Sequence, residues 1–539
     1  MRRRELVLGG ALALGGVSAQ AQSMLGSPAV FAPAAAPASP PAPVTPLPPN
    51  KQAAMSDDKT GQGLNRIVIA RWGDAVLPNA PPFNPAALSA DQADGQFPYD
   101  GVIAGILPPA AAQDGIPRLV MVVATPDIPA RMVFRPGQDQ PAIAGRMQGV
   151  TVMNLQFMGG RWVTVDGGYQ SRRISDSTLC SITGPAAAQV GDSVQGVLGP
   201  QTGGATPWGS VLLAEGDAAA WLTRLANIGY GYADPAQAVR FGWLVELNPL
   251  DPNSIPVKRT ALGRVPRAGV AATQTKDGRP VVFFTEDSPT GALYRFVAAT
   301  NATDGTALDS GTLSVAKLSD SGITWVDLGN DVPSLVGLSG AARNAGAEQF
   351  DAPGGLALSA DGGTLYMACG GNQGRSSGDA LNPRAGDDNG HIIAFSLPGS
   401  DATAKNFAAA LTLMAGNPAV AQGASYPPGS AFWLRKPRTL SLDGSGKLWI
   451  GTDQRGDSSL TADGLFILPP SGPLQMAYLA PKGAAIGGVV FDAGTHTAFG
   501  MVRHPGATPE ASYNYPATRW PTLRPDMPPQ STIVGLVSA

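Results

Sequence analysis

Strand–turn–strand segments recur from about residue 63 to the C-terminus, and this repetition restricts the possible fold more than any other feature. Short runs of β-branched and aromatic residues alternate with turns that carry Gly, Asp or Pro, a pattern that predicts β-hairpins. The clearest examples are VTVMNLQFMGGRWVTVDGG, VAATQTKDGRPVVFFTED, GLALSADGGTLYMACGG, TLSLDGSGKLWIGTD and GVVFDAGTHTAFGMV. Four turns lie near Asp277, Asp361, Asp443 and Asp492, at intervals compatible with one or two units of roughly 40–50 residues, the length of a propeller blade. The sequence therefore predicts an all-β protein that forms one large propeller.

A string of separate β-sandwiches is the alternative fold. We disfavour it because no second linker interrupts the succession of hairpins. Helical patterns are few, and the two best begin at Ala214 and Asp401, with the sequences AEGDAAAWLTRLANIG and DATAKNFAAALTLMAG. We expect short helical insertions at these two places.

The N-terminus has the order of an export signal. The basic run Arg2–Arg4 precedes the apolar stretch LVLGGALALGGVSA and a small-x-small site at Ala19–Ala21. The Arg3-Arg4 pair resembles a twin-arginine signal, and the apolar stretch is too short and too rich in Gly and Ala for a membrane anchor. We expect an export signal over residues 1–21, an Ala/Pro-rich tether over 22–61 and the propeller over 62–539, in a periplasmic or secreted protein.

Charge and cysteine content exclude several classes of partner. The formal net charge is −3 and becomes more negative once the basic leader is removed, which argues against nucleic acid or an anionic membrane surface as a partner. No later stretch is long and apolar enough to span a bilayer, and we expect a monomer. The only cysteines, Cys180 and Cys369, are either isolated buried thiols or one disulfide, and the sequence leaves both open.

An ordered series of segments resembles the PhoX-type alkaline phosphatases. The series is SRRISDSTLCSITGPAA, TGGATPWGSVLLAEGD, FGWLVELNPLDPNSIPVKRTALGR, VVFFTEDSPTGALYRFV, NPRAGDDNGHIIAF, GKLWIGTDQ and RHPGATP. The resemblance covers nearly everything from about Gly63 to the C-terminus. It implies a six-bladed β-propeller, exported through the twin-arginine route, whose central iron and calcium ions bind phosphate monoesters and activate an oxygen nucleophile.

Most of the metal-ligand positions implied by this resemblance carry other residues here. By this resemblance, the position of a family cysteine is Gln201 or its neighbour Thr202, and three family acids become Ala268, Gly354 and Arg438. A neutral amide is a poor substitute for a thiolate, and hard cations need several oxygen ligands. We therefore expect the family's iron and calcium to be reduced or absent.

The remaining acids and the gained arginines are the candidate site residues. The acids Glu215, Glu286 and Asp287 are either residual metal ligands or structural carboxylates that cap turns or pair with cations. Arg267 and Arg438 either converge on an anion in the central funnel or form salt bridges between blades.

Three further residues are weak catalytic candidates through the resemblance: Asn382, Arg384 and His504. Taken together, these residues favour an exported PhoX-like protein with a degenerate metal centre. Its funnel would bind a partner or a small anion such as phosphate or an organophosphate. The alternatives are an active phosphate monoester hydrolase with a reduced or altered metal set, and a non-catalytic interaction propeller of the cell envelope.

Overall fold

The computed structural model describes residues 52–457 and 459–539. The expected export signal and most of the expected tether lie outside the described residues. Strands account for most of the regular structure, so the prediction of a mostly β protein is confirmed. None of the described helices is long and apolar enough to cross a membrane.

The strands and helices are short and follow one another closely. The first strands are β1 (Lys59–Thr60), β2 (Leu64–Arg71), β3 (Val102–Leu107), β4 (Arg118–Thr125), β5 (Gly149–Met158), β6 (Arg161–Thr164), β7 (Arg172–Ile174), β8 (Leu179–Thr183), β9 (Ser193–Gln195), β10 (Pro200–Ala205), β11 (Val211–Glu215), β12 (Leu244–Leu247) and β13 (Val257–Arg259). The middle strands are β14 (Arg267–Gln274), β15 (Pro280–Glu286), β16 (Thr290–Gly291), β17 (Leu293–Ala298), β18 (Gly311–Ser319), β19 (Gly322–Asp327), β20 (Phe350–Asp351), β21 (Pro353–Leu358), β22 (Thr364–Cys369), β23 (His391–Ser396) and β24 (Asn406–Met414). The last strands are β25 (Pro437–Leu442), β26 (Leu448–Thr452), β27 (Gly464–Leu468), β28 (Gln475–Leu479), β29 (Ala485–Asp492), β30 (Thr497–Arg503) and β31 (Thr532–Ser538). The α-helices are α1 (Ala90–Gly95), α2 (Ala130–Val133), α3 (Pro141–Met147), α4 (Ala187–Val190), α5 (Ala219–Ala226), α6 (Val332–Val336) and α7 (Leu338–Asn344).

All five predicted hairpins are confirmed as antiparallel pairs: β5–β6, β14–β15, β21–β22, β25–β26 and β29–β30. In the turns of β21–β22, β25–β26 and β29–β30, an Asp side chain accepts from nearby backbone N–H groups and so fixes the turn. Asp443, for example, accepts from the N–H groups of Ser445 and Lys447 at 2.9 and 3.1 Å.

One of the two expected helices is a strand. The segment that begins at Ala214 contains helix α5, as predicted, but the segment from Asp401 forms β24. Its exposure alternates along Asn406–Met414, and it pairs with both β19 and β23. Cross-strand pairing therefore overrides the helical propensity of an Ala-rich run, and the result is one nine-stranded sheet.

Six inner strands, β3, β10, β14, β21, β25 and β29, contact one another in a closed cycle. Each is the first strand of an antiparallel series that leads away from the cycle, such as β25-β26-β27-β28. The first long strand that the structure describes and the last strand lie in one of these sheets, since β2 pairs with β31, which pairs with β30.

Every inner strand has a register irregularity against its neighbour, close to the strand's beginning. In β10, β14 and β25 the residue at the irregularity is Gln201, Ala268 and Arg438, respectively. A bulge bends a strand and redirects the extra side chain. The inner strands therefore turn selected side chains toward one end of the cycle.

Hydrophobic clusters fill the spaces between neighbouring sheets. Leu465 on β27, for example, packs in the same cluster as Val502 on β30 and Val534 on β31. Trp162 and Trp243 belong to two other clusters and are almost inaccessible to solvent, and burial of each large apolar side chain contributes about 1.5–3 kcal/mol. These clusters hold neighbouring sheets together and so fix the inner strands.

The folded part begins before residue 62. Gln52 donates to the carbonyl oxygen of Trp433 at 2.5 Å, and β1 pairs with β28. A two-residue strand is too short to give a recognisable pattern in the sequence. Cys180 and Cys369 are both buried free thiols.

Candidate functional site

A polar cavity of about 710 Å³ lies where the inner strands begin. Its wall includes the first residues of β3, β10, β14 and β25 and the segments that follow β15, β22 and β26. Gly370–Gly374, directly after β22, forms one side of it. The volume is within the range of small-molecule sites, so this cavity is the candidate functional site.

Arg438 and Asp287 meet inside the cavity. The Arg438 Nη2 atom donates to Asp287 Oδ1 at 2.9 Å, although 151 residues separate them in sequence. The side chains are 24% and 29% exposed, respectively. Within the described part of the chain, Arg438 Nε and Nη1 and Asp287 Oδ2 make no hydrogen bond to protein. The structure thus joins a predicted anion-binding residue to a predicted metal ligand as one ion pair.

Arg503 forms a second charged group on the wall. Its Nε and Nη2 atoms donate to the two Asp100 oxygens at 2.9 and 2.8 Å, and Nη1 lies 3.6 Å from Asp453 Oδ2. Burial raises the pKa of Asp453, but Arg503, His504, Arg438 and the Arg455 N–H group together outweigh burial and hold this pKa below its usual value. Both acids are therefore already paired with a cation.

Asp388 has two cationic partners. Lys436 Nζ and Arg435 Nη2 each donate to one of its oxygens, both at 2.6 Å. Burial would raise the pKa of Asp388, but the two cations outweigh it and lower this pKa. Both carboxylate oxygens of Asp388 are thus occupied.

Three non-glycine residues of the cavity wall have a left-handed backbone conformation. The wall residues Ala352, Lys436 and Arg455 have φ values of +49°, +49° and +55°. Non-glycine residues in this region cost about 1–3 kcal/mol each and are common at functional sites. The Arg455 side chain is exposed and makes no hydrogen bond to the described residues, so it adds a cation without a protein partner.

Glu215 lies in the core, outside the cavity wall. It is inaccessible to solvent and accepts from Lys258 Nζ at 2.7 Å. It also accepts from the backbone N–H groups of Leu198, Gly242 and Trp243 at 3.0, 2.9 and 3.3 Å. A carboxylate with four donors around it is a structural anchor, so the structure does not support Glu215 as a metal ligand.

Glu286 is also held by protein partners. It is 8% exposed and accepts from the hydroxyl groups of Tyr294 at 2.9 Å and Ser339 at 2.5 Å. Ser339 belongs to α7, outside the cavity wall. Of the three predicted metal ligands, only Asp287 lies in the cavity.

The expectation that Arg267 binds an anion alongside Arg438 is not supported by its position. Arg267 is fully buried, and its terminal nitrogens donate to four backbone carbonyl oxygens at 2.5–3.1 Å. Its guanidinium lies 4.5 Å from the centroid of the Phe284 ring, and burial lowers its pKa to about 9. Arg267 therefore connects segments of the core and is not available to a ligand.

The three weak catalytic candidates do not converge. Asn382 is buried and donates to Glu348 Oε1 at 2.9 Å, and Arg384 donates to the Gln422 carbonyl oxygen at 2.7 Å. His504 is half-buried, with Nδ1 3.2 Å from the Gly483 carbonyl oxygen. None of the three is among the described residues of the cavity wall.

Comparison with known proteins identifies the family. The family model for alkaline phosphatase PhoX matches residues 48–506. The chain belongs to the PhoX alkaline phosphatase family. A search of curated proteins finds no match.

One of the solved structures that this chain resembles is itself a PhoX protein. It is Pseudomonas fluorescens PhoX in complex with vanadate, a transition state analogue, with 25% identity, a TM-score of 0.81, and coverage of 92% of this chain and 98% of that chain. A Xanthomonas campestris gluconolactonase has 12% identity, a TM-score of 0.30 and coverage of 81% and 97%. A Dyadobacter fermentans protein of unknown function has 10% identity, a TM-score of 0.37 and coverage of 89% and 100%. The last two scores are too low to support an argument.

The substituted positions lie at the bulges of this PhoX-family chain. Gln201, Ala268 and Arg438 are all on the cavity wall. Gly354 lies beside them, and a Cβ atom at this position would be 2.7 Å from the Arg438 carbonyl oxygen. The chain therefore has no room for a side chain at residue 354 without a backbone shift.

Several wall residues were not predicted from the sequence, namely Asp388, Lys436, Asp453, Arg455 and Arg503. The sequence contains a signal from which two of them could have been predicted. Asp453 and Arg455 directly follow the buried strand β26, and residues at strand ends near bulged inner strands are placed to reach a central cavity. The positions of the other three on the cavity wall depend on how separate strands pack together.

Proposed function

We propose that this phosphatase-like protein of the PhoX family binds a small phosphate-type anion in the cavity through protein cations. The proposal rests on the position of Arg438 at the bulge of β25. Its Nε and Nη1 atoms make no hydrogen bond to the described residues. Guanidinium groups present paired N–H donors that suit phosphate and carboxylate. Arg455 supplies a second cation on the same wall.

We further propose that the metal centre is degenerate. The family is metal-dependent, so the donor set is the relevant comparison. Among the described residues, no group of three or more His, Cys, Asp or Glu is placed to hold one metal ion. The wall acids Asp287, Asp388 and Asp453 each have an arginine or lysine partner. Iron and calcium require several oxygen or sulfur donors that face one point, and this arrangement does not fit them.

We also propose that the six inner strands are the first strands of six propeller blades around the cavity. Their closed cycle of contacts and the clusters between neighbouring sheets support this arrangement. An experimental structure in which a number of inner strands other than six surrounds the cavity would contradict it.

Export is proposed from the family. PhoX proteins are exported, and Arg3-Arg4 supply the twin-arginine pattern. Replacement of both arginines by lysine should retain the protein in the cytoplasm. Unchanged export of that variant would contradict the proposed route.

Thermal unfolding in the presence of inorganic phosphate tests the anion site. Binding to the folded state raises its stability by about 2.7 kcal/mol when phosphate is at 100 times its Kd. Arg438→Gln should remove this rise. Arg279→Gln should keep it, since Arg279 forms an exposed pair with Asp277 and is not part of the cavity wall.

Two results would overturn the proposal. Hydrolysis of an aryl phosphate that a chelator abolishes would indicate an active metal-dependent hydrolase. No stabilisation by phosphate, sulfate or an organophosphate would favour a non-catalytic interaction protein of the cell envelope.

A further inference from the structure

We propose that the natural ligand is a small zwitterion in which a primary ammonium group and a phosphate-type anion are joined by a short spacer. The inference rests on the proposed anion binding and adds a positively charged ammonium group to the ligand. The observation that supports it is the pair formed by Asp287 and Arg438, which offers both charge signs at one place on the cavity wall.

The Asp287–Arg438 pair has unused capacity on both partners. Their hydrogen bond joins Arg438 Nη2 to Asp287 Oδ1, and no described residue hydrogen-bonds Asp287 Oδ2 or Arg438 Nε and Nη1. Both side chains are partly exposed to the cavity. A ligand therefore meets a carboxylate acceptor and guanidinium donors next to each other.

A simple anion gains less from such a pair than a zwitterion does. An anion bound to Arg438 lies close to the Asp287 charge and is repelled by it, and Arg438 is already partly neutralised. A ligand ammonium bound to Asp287 Oδ2 removes this repulsion, because it makes the carboxylate a favourable contact. In a phosphate ester a two-carbon spacer puts four bonds of about 1.5 Å each between the ammonium nitrogen and the phosphorus, which keeps the two ligand charges close enough for neighbouring partners.

The other acids of the wall are less able to bind an ammonium group. Both oxygens of Asp388 accept from cations at 2.6 Å. Asp453 accepts from the Arg455 N–H group at 2.8 Å and lies near Arg503. No described residue hydrogen-bonds Asp287 Oδ2, and the Asp287 side chain is more exposed than that of Asp453, 29% against 15%. Asp287 is therefore the wall carboxylate most accessible to a ligand ammonium group.

The wall also selects the type of ammonium group. Quaternary ammonium ligands are recognised by aromatic cages, and the described residues of the wall include no Phe, Tyr or Trp. A primary ammonium instead needs hydrogen-bond acceptors, which Asp287 supplies and the side chains of Asn372 and Gln373 on the same wall can supplement. The ligand class is thus a primary-ammonium zwitterion and excludes choline-type compounds.

Isothermal titration of the mature protein with three phosphate esters tests this inference. The probes are phosphoethanolamine, ethyl phosphate, which lacks the ammonium, and phosphocholine, which has the same charges without N–H donors. We expect phosphoethanolamine to bind at least about tenfold more tightly than the other two, which is about 1.4 kcal/mol.

Asp287→Asn should abolish this preference. The variant should bind ethyl phosphate as well as or better than the unmodified protein, because the repulsion near Arg438 is gone. Asp277→Asn is the matched control: it removes an aspartate from an exposed Asp–Arg pair at the opposite end of the β14–β15 hairpin and should leave the preference unchanged. Thermal unfolding of both variants checks that they are folded.

The outcomes separate this inference from the proposed function. Equal affinities for phosphoethanolamine and ethyl phosphate would overturn the zwitterion and leave the anion site intact. Tighter binding of phosphocholine would overturn the primary-ammonium requirement. No binding of any ester or of inorganic phosphate would overturn the proposed function itself.

Discussion

Replacement of Glu215 by glutamine tests whether Glu215 stabilises the core or belongs to the ligand-binding cavity. Glu215 and Lys258 are both inaccessible to solvent and 2.7 Å apart, and Lys258 Nζ lies 4.2 Å from the centroid of the Phe241 ring. Loss of one partner of a buried ion pair leaves the other charge uncompensated and typically costs about 3–5 kcal/mol. The glutamine oxygen can still accept from backbone N–H groups, so we expect Glu215→Gln to lower the free energy of unfolding by about 3 kcal/mol.

Urea unfolding followed by tryptophan fluorescence and far-UV circular dichroism measures this change, provided that the two transitions coincide. The double variant Glu215→Gln/Lys258→Met should lose less stability than Glu215→Gln alone, because no unpaired charge remains in the core. The exposed Glu510 provides the matched control, and Glu510→Gln should unfold like the unmodified protein.

Phosphate affinity of folded Glu215→Gln should be unchanged, since Glu215 lies outside the cavity wall. The reasoning is refuted if Glu215→Gln unfolds like the unmodified protein while its phosphate affinity falls. That result would make Glu215 a site residue.

Three other substitutions give expected outcomes. Burial and the neighbouring Asp453 raise the pKa of Asp463 to about 7. The protonated Asp463 carboxyl group therefore stabilises the folded state, and this stabilisation is lost as the pH rises from about 4 to about 7. Asp463→Asn should flatten the dependence of urea midpoint on pH in this interval, and an unchanged slope would count against the raised pKa. The Gly354→Glu variant should have a lower melting temperature and should bind no iron, because a Cβ atom at residue 354 would lie 2.7 Å from the Arg438 carbonyl oxygen. A stable variant that contains iron would contradict this prediction. Arg267→Met should lower the free energy of unfolding by more than about 2 kcal/mol because four buried carbonyl oxygens lose their donor, with phosphate affinity unchanged in calorimetry.

The hairpins could be predicted from the sequence because their determinants are local. Period-two alternation and turn residues such as Asp443 lie within a few residues of each other. The segment Asn406–Met414 was wrongly predicted as helical because its strand conformation depends on β19, which lies more than 80 residues away in sequence.

The candidate site could be predicted only in part. Arg267 and Arg438 look equivalent in the sequence, but the register shift in β14 places Ala268 at the bulge, whereas the shift in β25 places Arg438 there. An offset of one residue sends a side chain to the opposite face of a strand. The sequence also indicated Asp287 and Arg438 as candidate site residues. It did not indicate that they form an ion pair, since this contact depends on the packing of separate sheets.

Metal content of the purified mature protein tests the central claim most directly. After expression with iron and calcium in the medium, elemental analysis should find far less than one atom of either metal per chain. The same preparation should not hydrolyse an aryl phosphate. Stoichiometric iron and calcium together with chelator-sensitive turnover would contradict the account.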